Sequence, residues 1–431
     1  MSELDKAPLL NGKIEVLSGF AFPSSGFNQL DGLPLIRIRD LGGSTTEVRF
    51  RGAYDPAYRV SKGDLLVGMD GDFEVYRWEG GDALLNQRVC KISSASREID
   101  QGFLYWYLKP KIAEIHRRTP QTTVRHLSTK SLYAIAEPPV GFPKQGLIAQ
   151  ILDTLDTAIR ETEVLIDKLK AVKQGLLHDL LTRGIDANGQ LRPPQSEAPQ
   201  LYKESPLGWI PREWEEVTLG KIASRAGGLL QTGPFGSQLH AHEYVADGIP
   251  VIMPQDMING ELSVESIARI TQHKAVRLSR HQVRPNDLVF SRRGDLSRCV
   301  AIEDVHEGWL CGTGCLLARL PADEINGYWL SLVYQQQGVQ SQVMGRAVGS
   351  TMANLNTSIL AAIAIARPDI VEQNEIAKRL KSVGQRITCE ERQLAKMLLE
   401  KSGLVDDLLT GRVRVTPLLE SVQRNAAPTG A

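Results

Sequence analysis

The sequence predicts a mixed α/β protein, in which a long antiparallel two-helix coiled coil separates two globular α/β domains related by a pseudo-twofold internal repeat. The repeat is the first observation. The tetrapeptide Asp-Leu-Leu-Thr occurs at Asp179–Thr182 and Asp407–Thr410, an offset of 228 residues (179 to 407), which holds without a gap back to Leu127 and Leu355. Upstream the offset decreases in steps, so only that part of each copy tolerates insertions. Heptad patterns near the end of each copy predict the helices.

Proline and glycine mark the domain boundaries. Pro143 lies in the first turn of the first helical pattern and Gly184 lies just past its end, as is typical of helix termini. The lead-in Gly208–Trp214 occurs in the second copy only. We predict a first globular domain over 1–142, a long helix over 143–184, a polar linker over 185–205, a second globular domain over 206–369, a long helix over 370–410 and a disordered tail over 411–431.

Composition limits the possible classes of protein. Fifty basic and fifty acidic residues make the chain neutral, which argues against an indiscriminate polyanion binder but not against a specific one. The longest apolar stretch, Ile359–Ala366, is far shorter than the ~20 residues that span a bilayer, and the N-terminus lacks a signal peptide pattern. Five cysteines, an odd number, fit a reducing compartment. We therefore expect a cytoplasmic protein.

Both predicted helices carry apolar residues in alternating steps of three and four, which is heptad spacing. Two layers of each seam are polar, at Thr162 and Lys173 in the first helix and at Glu390 and Lys401 in the second. The apolar seam residues are Ile148, Leu152, Leu155, Ile159, Ile166, Leu169, Leu176 and Leu180 in the first helix, and Ile376, Leu380, Val383, Ile387, Leu394, Met397, Leu404 and Leu408 in the second.

The polar layers indicate how the helices run. A parallel pair would place Lys173 beside Lys401, with two partly desolvated ammonium groups in one layer. An antiparallel pair sets Lys173 against Val383 and Lys401 against Leu155, so the long side chains can reach water. Packing of each helix on its own domain alone is the other interpretation, because any surface helix has an apolar stripe.

The length of the seam indicates that the helices separate the two domains. About 33 residues at ~1.5 Å each give ~50 Å, which is more than a small domain needs. An antiparallel pair with one domain on each helix would hold two similar domains at opposite ends. The separation corresponds to some 14 to 15 base pairs at ~3.4 Å per pair, the scale of two DNA recognition elements with an unread spacer between them.

Several segments together resemble the specificity subunit of Type I restriction-modification systems, over essentially the whole chain. They are the helix end 165–184, the lead-in 208–220, the strand-to-helix passages 135–148 and 363–376, and the Gly-Asp-Leu-Leu turn at Gly63. The resemblance implies two target-recognition domains, each reading half of a split site in double-stranded DNA. It also implies a seat for two modification (adenine methyltransferase) subunits and for restriction subunits. The cofactors, S-adenosylmethionine and then ATP with Mg, would belong to those partners and none to this chain.

Local charge indicates where DNA would be contacted. Residues 109–130 contain six Lys or Arg and one Glu, and residues 277–298 contain six Arg and two Asp. Basic side chains position a protein on phosphates, and Arg can also read guanine. The loops 121–126 and 349–354, just before the gapless section, are rich in hydroxyl groups and suit the same contacts. Solvated salt-bridged faces and ordinary turn chemistry are the alternatives. The candidate DNA-binding residues are Arg117, Arg118, Gln121, Thr123, Arg125, Lys130, Arg280, Arg292, Arg293, Arg298, Arg346 and Thr351.

Other chemistry finds little support in the sequence. Cys311 and Cys315, with Cys299 and His306 nearby, lack the spacing of a usual zinc site. Neither a phosphate-binding loop nor the glycine-rich turn and Pro-Pro-aromatic segment of a base-flipping methyltransferase is present. We therefore predict no catalytic, cofactor or metal site. A coiled-coil scaffold without a nucleic-acid role and a stand-alone DNA methyltransferase are the alternative functions.

Overall fold

The structure is a computed structural model that describes residues 8–120, 125–225, 228–347 and 354–413. The chain forms two compact units. Unit 1 comprises Met1–Val164 with Glu391–Ala431, and unit 2 comprises Leu165–Glu390. Each unit therefore contains one globular part and a segment of both long helices. Within the described ranges, no helix combines the length and apolar character that a membrane crossing requires.

Unit 1 contains two sheets and the first long helix. Its strands are β1 (Ile14–Ser18), β2 (Phe27–Asn28), β3 (Leu33–Ile36), β4 (Arg49–Phe50), β5 (Arg59–Val60), β6 (Leu65–Gly68), β7 (Val75–Arg77), β8 (Ala83–Leu85) and β9 (Val89–Ser94). Its helices are α1 (Gln101–Arg118), α2 (Thr129–Tyr133) and α3 (Phe142–Thr182), the last continuing into unit 2.

The strands of unit 1 form an antiparallel sheet, β1-β9-β6-β7, and a second sheet, β2-β4-β3-β8-β5, in which β3 and β8 run parallel. All residues of β6 are buried, which fits the continuous apolar run of a central strand. The aromatic residues Phe103, Trp106 and Tyr107 of α1 join the core over the first sheet. Asp100 begins α1 by accepting the Phe103 N–H with its carboxylate at 2.8 Å.

Unit 2 repeats this order with additions. Its strands are β10 (Tyr202–Ser205), β11 (Gly208–Pro211), β12 (Glu215–Thr218), β13 (Leu229–Thr232), β14 (Tyr244–Val245), β15 (Ile249–Ile252), β16 (Met257–Ile258), β17 (Glu261–Leu262), β18 (Ala268–Ile270), β19 (Leu288–Ser291), β20 (Cys299–Ala301), β21 (Leu310–Cys311), β22 (Cys315–Arg319) and β23 (Ala364–Arg367). Its helices are α4 (Leu219–Ala223), α5 (Gln272–Arg277), α6 (Gly327–Tyr334), α7 (Gln337–Ala347), α8 (Thr357–Ala361) and α9 (Ile370–Thr410), the last continuing into unit 1.

The sheet topology confirms the internal repeat. The antiparallel sheet β13-β22-β19-β20 has the strand order of β1-β9-β6-β7. The sheet β14-β18-β15-β21 matches β2-β4-β3-β8, and the parallel pair β15 and β21 corresponds to β3 and β8. The predicted fold class, mixed α/β with two repeated domains and long helices, is thus correct.

Segments of the two long helices pack together within each unit. In unit 1 the start of α3 and the end of α9 share one core, which contains Ile148 and Leu408. In unit 2 the end of α3 and the start of α9 share another, which contains Leu180 and Ile376. The order is therefore antiparallel in each unit, as the polar layers of the seam predicted. Seven seam residues are only half-buried: Leu155, Leu169, Leu176, Val383, Leu394, Met397 and Leu404.

The polar seam residues confirm the predicted alignment. In unit 1 the Lys401 ammonium pairs with Asp156, the neighbour of Leu155, and lies 5.3 Å from the Trp106 ring centroid. In unit 2 a methyl group placed on Gly384 would lie 3.6 Å from Lys173 Nζ. Each lysine thus reaches the edge of the layer opposite it, so its charge stays near water.

The segment 185–205, predicted as a linker, is a packed part of unit 2. The Arg192 side chain is only 6% exposed, and its Nη1 donates to Glu372 Oε1 at 2.5 Å. Its Nη2 donates to Glu213 at 2.6 Å, and Glu372 also accepts the Ile185 N–H at 2.8 Å. Polar residues here form hydrogen bonds and a buried ion pair between Arg192 and Glu372, which composition alone does not distinguish from a solvated linker.

Candidate nucleic-acid interface

One turn at the end of a central strand organises the candidate interface in unit 1. We name residues 69–72, which follow β6, the strand-end turn of unit 1. The chain returns to it after α1, where the Leu127 N–H donates to the Met69 carbonyl at 2.7 Å. Asp70 and His126 form an antiparallel bridge beside this bond. The segment that begins the gapless repeat is therefore attached to the turn.

Unit 2 builds the same turn at residues 292–295, which follow β19. The Leu355 N–H donates to the Arg292 carbonyl at 3.0 Å, and Arg293 forms an antiparallel bridge with Asn354. These partners match those of unit 1 position by position. The two strand-end turns therefore have equivalent backbones.

A glycine shapes each strand-end turn. Gly71 has a φ of +80° and Gly294 a φ of +75°, a conformation that residues with a Cβ rarely adopt. An aspartate follows in both copies, Asp72 and Asp295. The first two positions differ completely, since they hold Met-Asp in unit 1 and Arg-Arg in unit 2.

The end of α1 carries the first pair of predicted DNA-binding residues. Arg117 and Arg118 are exposed in its last turn. Arg118 pairs with Glu114 one turn earlier at 2.6 Å, an exposed ion pair that contributes little stability. Both guanidinium groups are accessible to a phosphate.

Arg125 and Lys130 lie on the segment that returns to the turn. Arg125 is half-buried, and its Nε donates to the Thr119 carbonyl at 3.2 Å while its Nη1 lies 2.8 Å from His116 Nε2. It therefore holds the end of α1. Lys130, by contrast, is exposed in the first turn of α2, where Ser128 accepts its N–H at 3.2 Å.

Two exposed side chains, those of Arg88 and His126, contact Asp70 in the strand-end turn of unit 1. Asp70 accepts from His126 Nδ1 at 2.7 Å, and Arg88 Nε lies 3.4 Å from its other oxygen. The side chains of Arg88 and His126 are 68% and 65% exposed. The sequence does not predict Arg88 as a DNA-binding residue, because Arg88 lies outside the basic clusters. Its position beside the strand-end turn makes it a candidate.

In unit 2 the turn itself carries the basic residues. Arg292 is half-buried, and its Nε donates to Asn354 Oδ1 at 3.3 Å. Arg293 is exposed, while its carbonyl accepts from the Ser291 hydroxyl at 2.8 Å. The structure thus brings Arg292 and Arg293 together with the start of the gapless section.

The other predicted arginines of unit 2 differ in accessibility. Arg298 is half-buried, and its guanidinium donates to the Pro254 carbonyl at 2.8 Å and lies 3.3 Å from Asp295. Arg280 is exposed after α5, and Arg346 is exposed in the last turn of α7, where it donates to the Gln342 carbonyl at 3.3 Å. Arg298 therefore has a structural role in its own loop, whereas Arg280 and Arg346 present their charges to solvent. Three further predicted residues, Gln121, Thr123 and Thr351, lie outside the described residues.

The cysteines are arranged as core residues. Cys299, Cys311 and Cys315 are buried, and burial raises the pKa of each thiol above its ordinary value. Cys315 Sγ donates to the Ile252 carbonyl at 3.3 Å. Within the described ranges, no group of three or more His, Cys, Asp and Glu is arranged to hold a metal ion.

Each unit therefore presents exposed donors next to a turn that the fold holds in place. The guanidinium groups of arginine carry hydrogen-bond donors only. They can therefore donate to phosphate oxygens and to acceptor atoms of bases. The arrangement suits contact with an anionic or acceptor-rich partner such as DNA.

Known proteins resemble the chain over nearly its whole length. It is 26% identical to the Type I restriction enzyme EcoBI specificity subunit of Escherichia coli, covering 96% of this chain and 91% of that one. It is 21% identical to the Type I restriction enzyme MjaVIII specificity subunit of Methanocaldococcus jannaschii, covering 83% and 81%. A crystal structure of the Type I restriction-modification S subunit from M. genitalium has a similar fold, with a TM-score of 0.59 at 15% identity over 95% of this chain and 98% of that one.

The family described as Type I restriction modification DNA specificity domain matches the chain twice, at residues 12–171 and 211–399. Each match contains one of the two strand-end turns and much of one long helix. Together the matches cover most of the sequence and follow the internal repeat. The chain therefore belongs to the family of Type I restriction modification DNA specificity domains.

Proposed function

We propose that this chain is the non-catalytic, sequence-specific DNA-binding subunit of a Type I restriction-modification complex and reads a bipartite site in double-stranded DNA. Each unit reads one half-site. The observation that carries the proposal is the pair of strand-end turns, which share a backbone but carry different side chains. Two equal scaffolds with different exposed side chains are what two different half-sites require.

Exposed basic side chains in each unit support contact with DNA. Among the candidate residues and Arg88, those that are exposed are Arg88, Arg117, Arg118 and Lys130 in unit 1 and Arg280, Arg293 and Arg346 in unit 2. Exposed arginine and lysine position a protein on the phosphate backbone. Because the chain as a whole is neutral, its affinity for DNA would come from these local surfaces and would fall with salt.

The long helices support a spacing role. Both α3 and α9 contain 41 residues, or ~60 Å at ~1.5 Å per residue. Helices of this length, uninterrupted by proline past their first turn, suit a rigid element between two half-sites. We propose that their length sets the unread spacer.

The catalytic chemistry would reside in partner subunits. We propose that two methyltransferase subunits, which bind S-adenosylmethionine, and restriction subunits, which use ATP and Mg, assemble on this chain in the cytoplasm. Exposed apolar residues on the helices support such a seat: Leu398 and Leu399 of α9 are 46% and 76% exposed, and Val172 of α3 is 53% exposed. Leu398 and Leu399 are adjacent in the sequence of α9, and a contiguous exposed apolar surface can mark a site that a partner covers.

Binding of the complex to DNA tests the proposal. The chain, purified together with its methyltransferase partner, is titrated with a random duplex library at several salt concentrations, and the bound sequences are determined. We expect two short motifs at a fixed spacing, with an affinity that decreases as salt rises. Binding without any sequence preference would refute it.

Two controls separate the alternative functions. The chain alone, incubated with S-adenosylmethionine and DNA, should transfer no methyl groups, and transfer would establish a stand-alone methyltransferase. Substitution of Arg293 with Ala should weaken binding, whereas substitution of Lys378 with Ala should not, since Lys378 is an exposed residue of α9 whose ammonium lies 4.0 Å from Glu375. Absence of DNA binding by the wild-type complex even at low salt would favour a scaffold without a nucleic-acid role, whereas equal binding by wild type and both variants would show only that Arg293 does not contribute to affinity.

A further inference from the structure

The strand-end turns place different chemistry on one backbone. Position by position, Met69 and Asp70 of unit 1 correspond to Arg292 and Arg293 of unit 2, an offset of 223 residues (70 to 293). The contacts that join the turns to residues 126–127 and 354–355 in both units are made between backbone atoms. The fold therefore does not require a particular side chain at the second position, which leaves that residue available for contact with a ligand.

Unit 2 supplies a guanidinium directly from this position. Arg293 is exposed, and its backbone is fixed by the bridge to Asn354 and by the Ser291 hydroxyl. The neighbouring Arg292 is oriented by Asn354 Oδ1. A guanidinium on a fixed backbone can donate two parallel hydrogen bonds to guanine O6 and N7, and this geometry discriminates between bases.

Unit 1 supplies a guanidinium to the corresponding turn from another segment. The Met69 N–H donates to the Arg88 carbonyl at 2.8 Å, which places the end of the β8–β9 connection against the turn. Arg88 has a φ of +70°, a conformation uncommon outside glycine and asparagine. The Asp70 carboxylate then lies between the side chains of Arg88 and His126. Asp70 thus contacts two exposed side chains at the position where unit 2 has the exposed Arg293.

We propose that the strand-end turns determine the base that each unit reads, with Arg293 as the base-reading residue of unit 2, Arg88 as that of unit 1, and Asp70 as the residue that positions Arg88. This rests on the proposed function, because it assigns residues to the two half-sites. It predicts that Arg88 and Arg293 act on different halves of the same bipartite motif.

The side-chain burial supports these roles. The Asp70 side chain is 21% exposed and the Arg88 side chain is 68% exposed. Asp70 is therefore the inner member of the pair and Arg88 the outer one. A residue that contacts DNA must be the outer member. Asp70 therefore acts through Arg88, and its removal should weaken base discrimination without abolishing it.

The experiment determines the modified motif of the complete complex. Wild type and variants are co-expressed with the methyltransferase partner, and methylated positions in the host DNA are mapped by sequencing. The variants are Arg88→Ala, Arg88→Lys, Arg293→Ala, Arg293→Lys and Asp70→Asn, with Lys378→Ala as the matched loss of an exposed charge. Each complex is also checked for assembly and melting temperature, so that a folding defect is recognised.

We expect Arg293→Ala to relax one base position in one half-site, with discrimination lowered about tenfold or more. Arg88→Ala should relax one position in the other half-site, and Asp70→Asn should relax the same position less. The lysine variants keep the charge but lose the bidentate geometry, so they should retain modification while relaxing the same positions. Lys378→Ala should leave the motif unchanged.

Three results would overturn the proposal. The first is a loss of modification that is equal at all sites with an unchanged motif, which indicates phosphate contact. The second is relaxation of the same half-site by Arg88→Ala and Arg293→Ala, and the third is full wild-type discrimination by the lysine variants. If an alanine variant fails to assemble, its lysine counterpart decides. A wild-type complex that modifies no preferred motif would instead refute the proposed function, whereas a bipartite wild-type motif that all variants retain would refute this assignment alone.

Discussion

Gln145 on α3 and Gln373 on α9 occupy equivalent positions and make equivalent hydrogen bonds. Oε1 of Gln145 accepts the backbone N–H of Asp100, the residue that caps α1, at 2.8 Å. Oε1 of Gln373 accepts the N–H of Asn326, which caps α6, at 2.9 Å. In each unit the amide nitrogen also donates to two backbone carbonyls. One buried amide thus joins the long helix to the globular part in each unit.

Substitution of either glutamine by alanine should destabilise the protein. Gln145 and Gln373 are 2% and 0% exposed, so alanine would remove the hydrogen-bond partner of one N–H and two carbonyls, at a cost of about 2–4 kcal/mol. Urea unfolding measures the change. Gln150→Ala, at an exposed position of α3, is the control and should change stability by less than ~0.5 kcal/mol. Equal stability of all three variants would contradict a joining role.

Charge reversal tests the alignment of the helices in unit 1. Lys401→Glu and Asp156→Lys should each lower the free energy of unfolding by about 1 kcal/mol, because both side chains are 23% exposed and partly screened. The double reversal should recover part of the loss, though not the contact of the Lys401 ammonium with the Trp106 ring. A double-mutant cycle measures this coupling. A coupling of zero would argue against the antiparallel alignment.

Acid should destabilise unit 2 through His281. Its side chain is 4% exposed, and burial, followed by the positive charge of Arg280, lowers its pKa below the ordinary value. The folded state therefore resists a proton that the unfolded chain accepts below about pH 6.5. The melting temperature of the wild type should decrease as the pH is lowered from 7.5 to 5.5. The melting temperature of the His281→Gln variant should decrease less over the same interval. Parallel curves for the two proteins would show that His281 is not responsible.

The sequence was sufficient to predict the architecture because the repeat carries structural information. The gapless section covers the long helices and the segments that dock on the strand-end turns, where an insertion would shift both the heptads and the Gln145 or Gln373 contacts. The orientation of the helices followed from Lys173 and Lys401, whose charges cannot share a layer. Where a residue must satisfy both packing and charge, the sequence predicts its structural position.

Other features depend on contacts between segments that are distant in sequence. Arg125 is a predicted DNA-binding residue whose contacts with the Thr119 carbonyl and with His116 are not evident from the sequence. Arg192 looked like part of a linker because its partners, Glu213 and Glu372, are remote. Arg88 stands apart from any basic run and gains its position only when the β8–β9 connection meets the turn.

The most direct test of the account changes the length of the helices and measures the spacer. Four residues inserted near Glu161 and four near Thr388 would lengthen each helix by ~6 Å and rotate it by ~40°. Methylation mapping of the complex with its methyltransferase partner should then find the same two half-sites with a spacer longer by about two base pairs at ~3.4 Å per pair. Altered half-sites with an unchanged spacer would contradict the account.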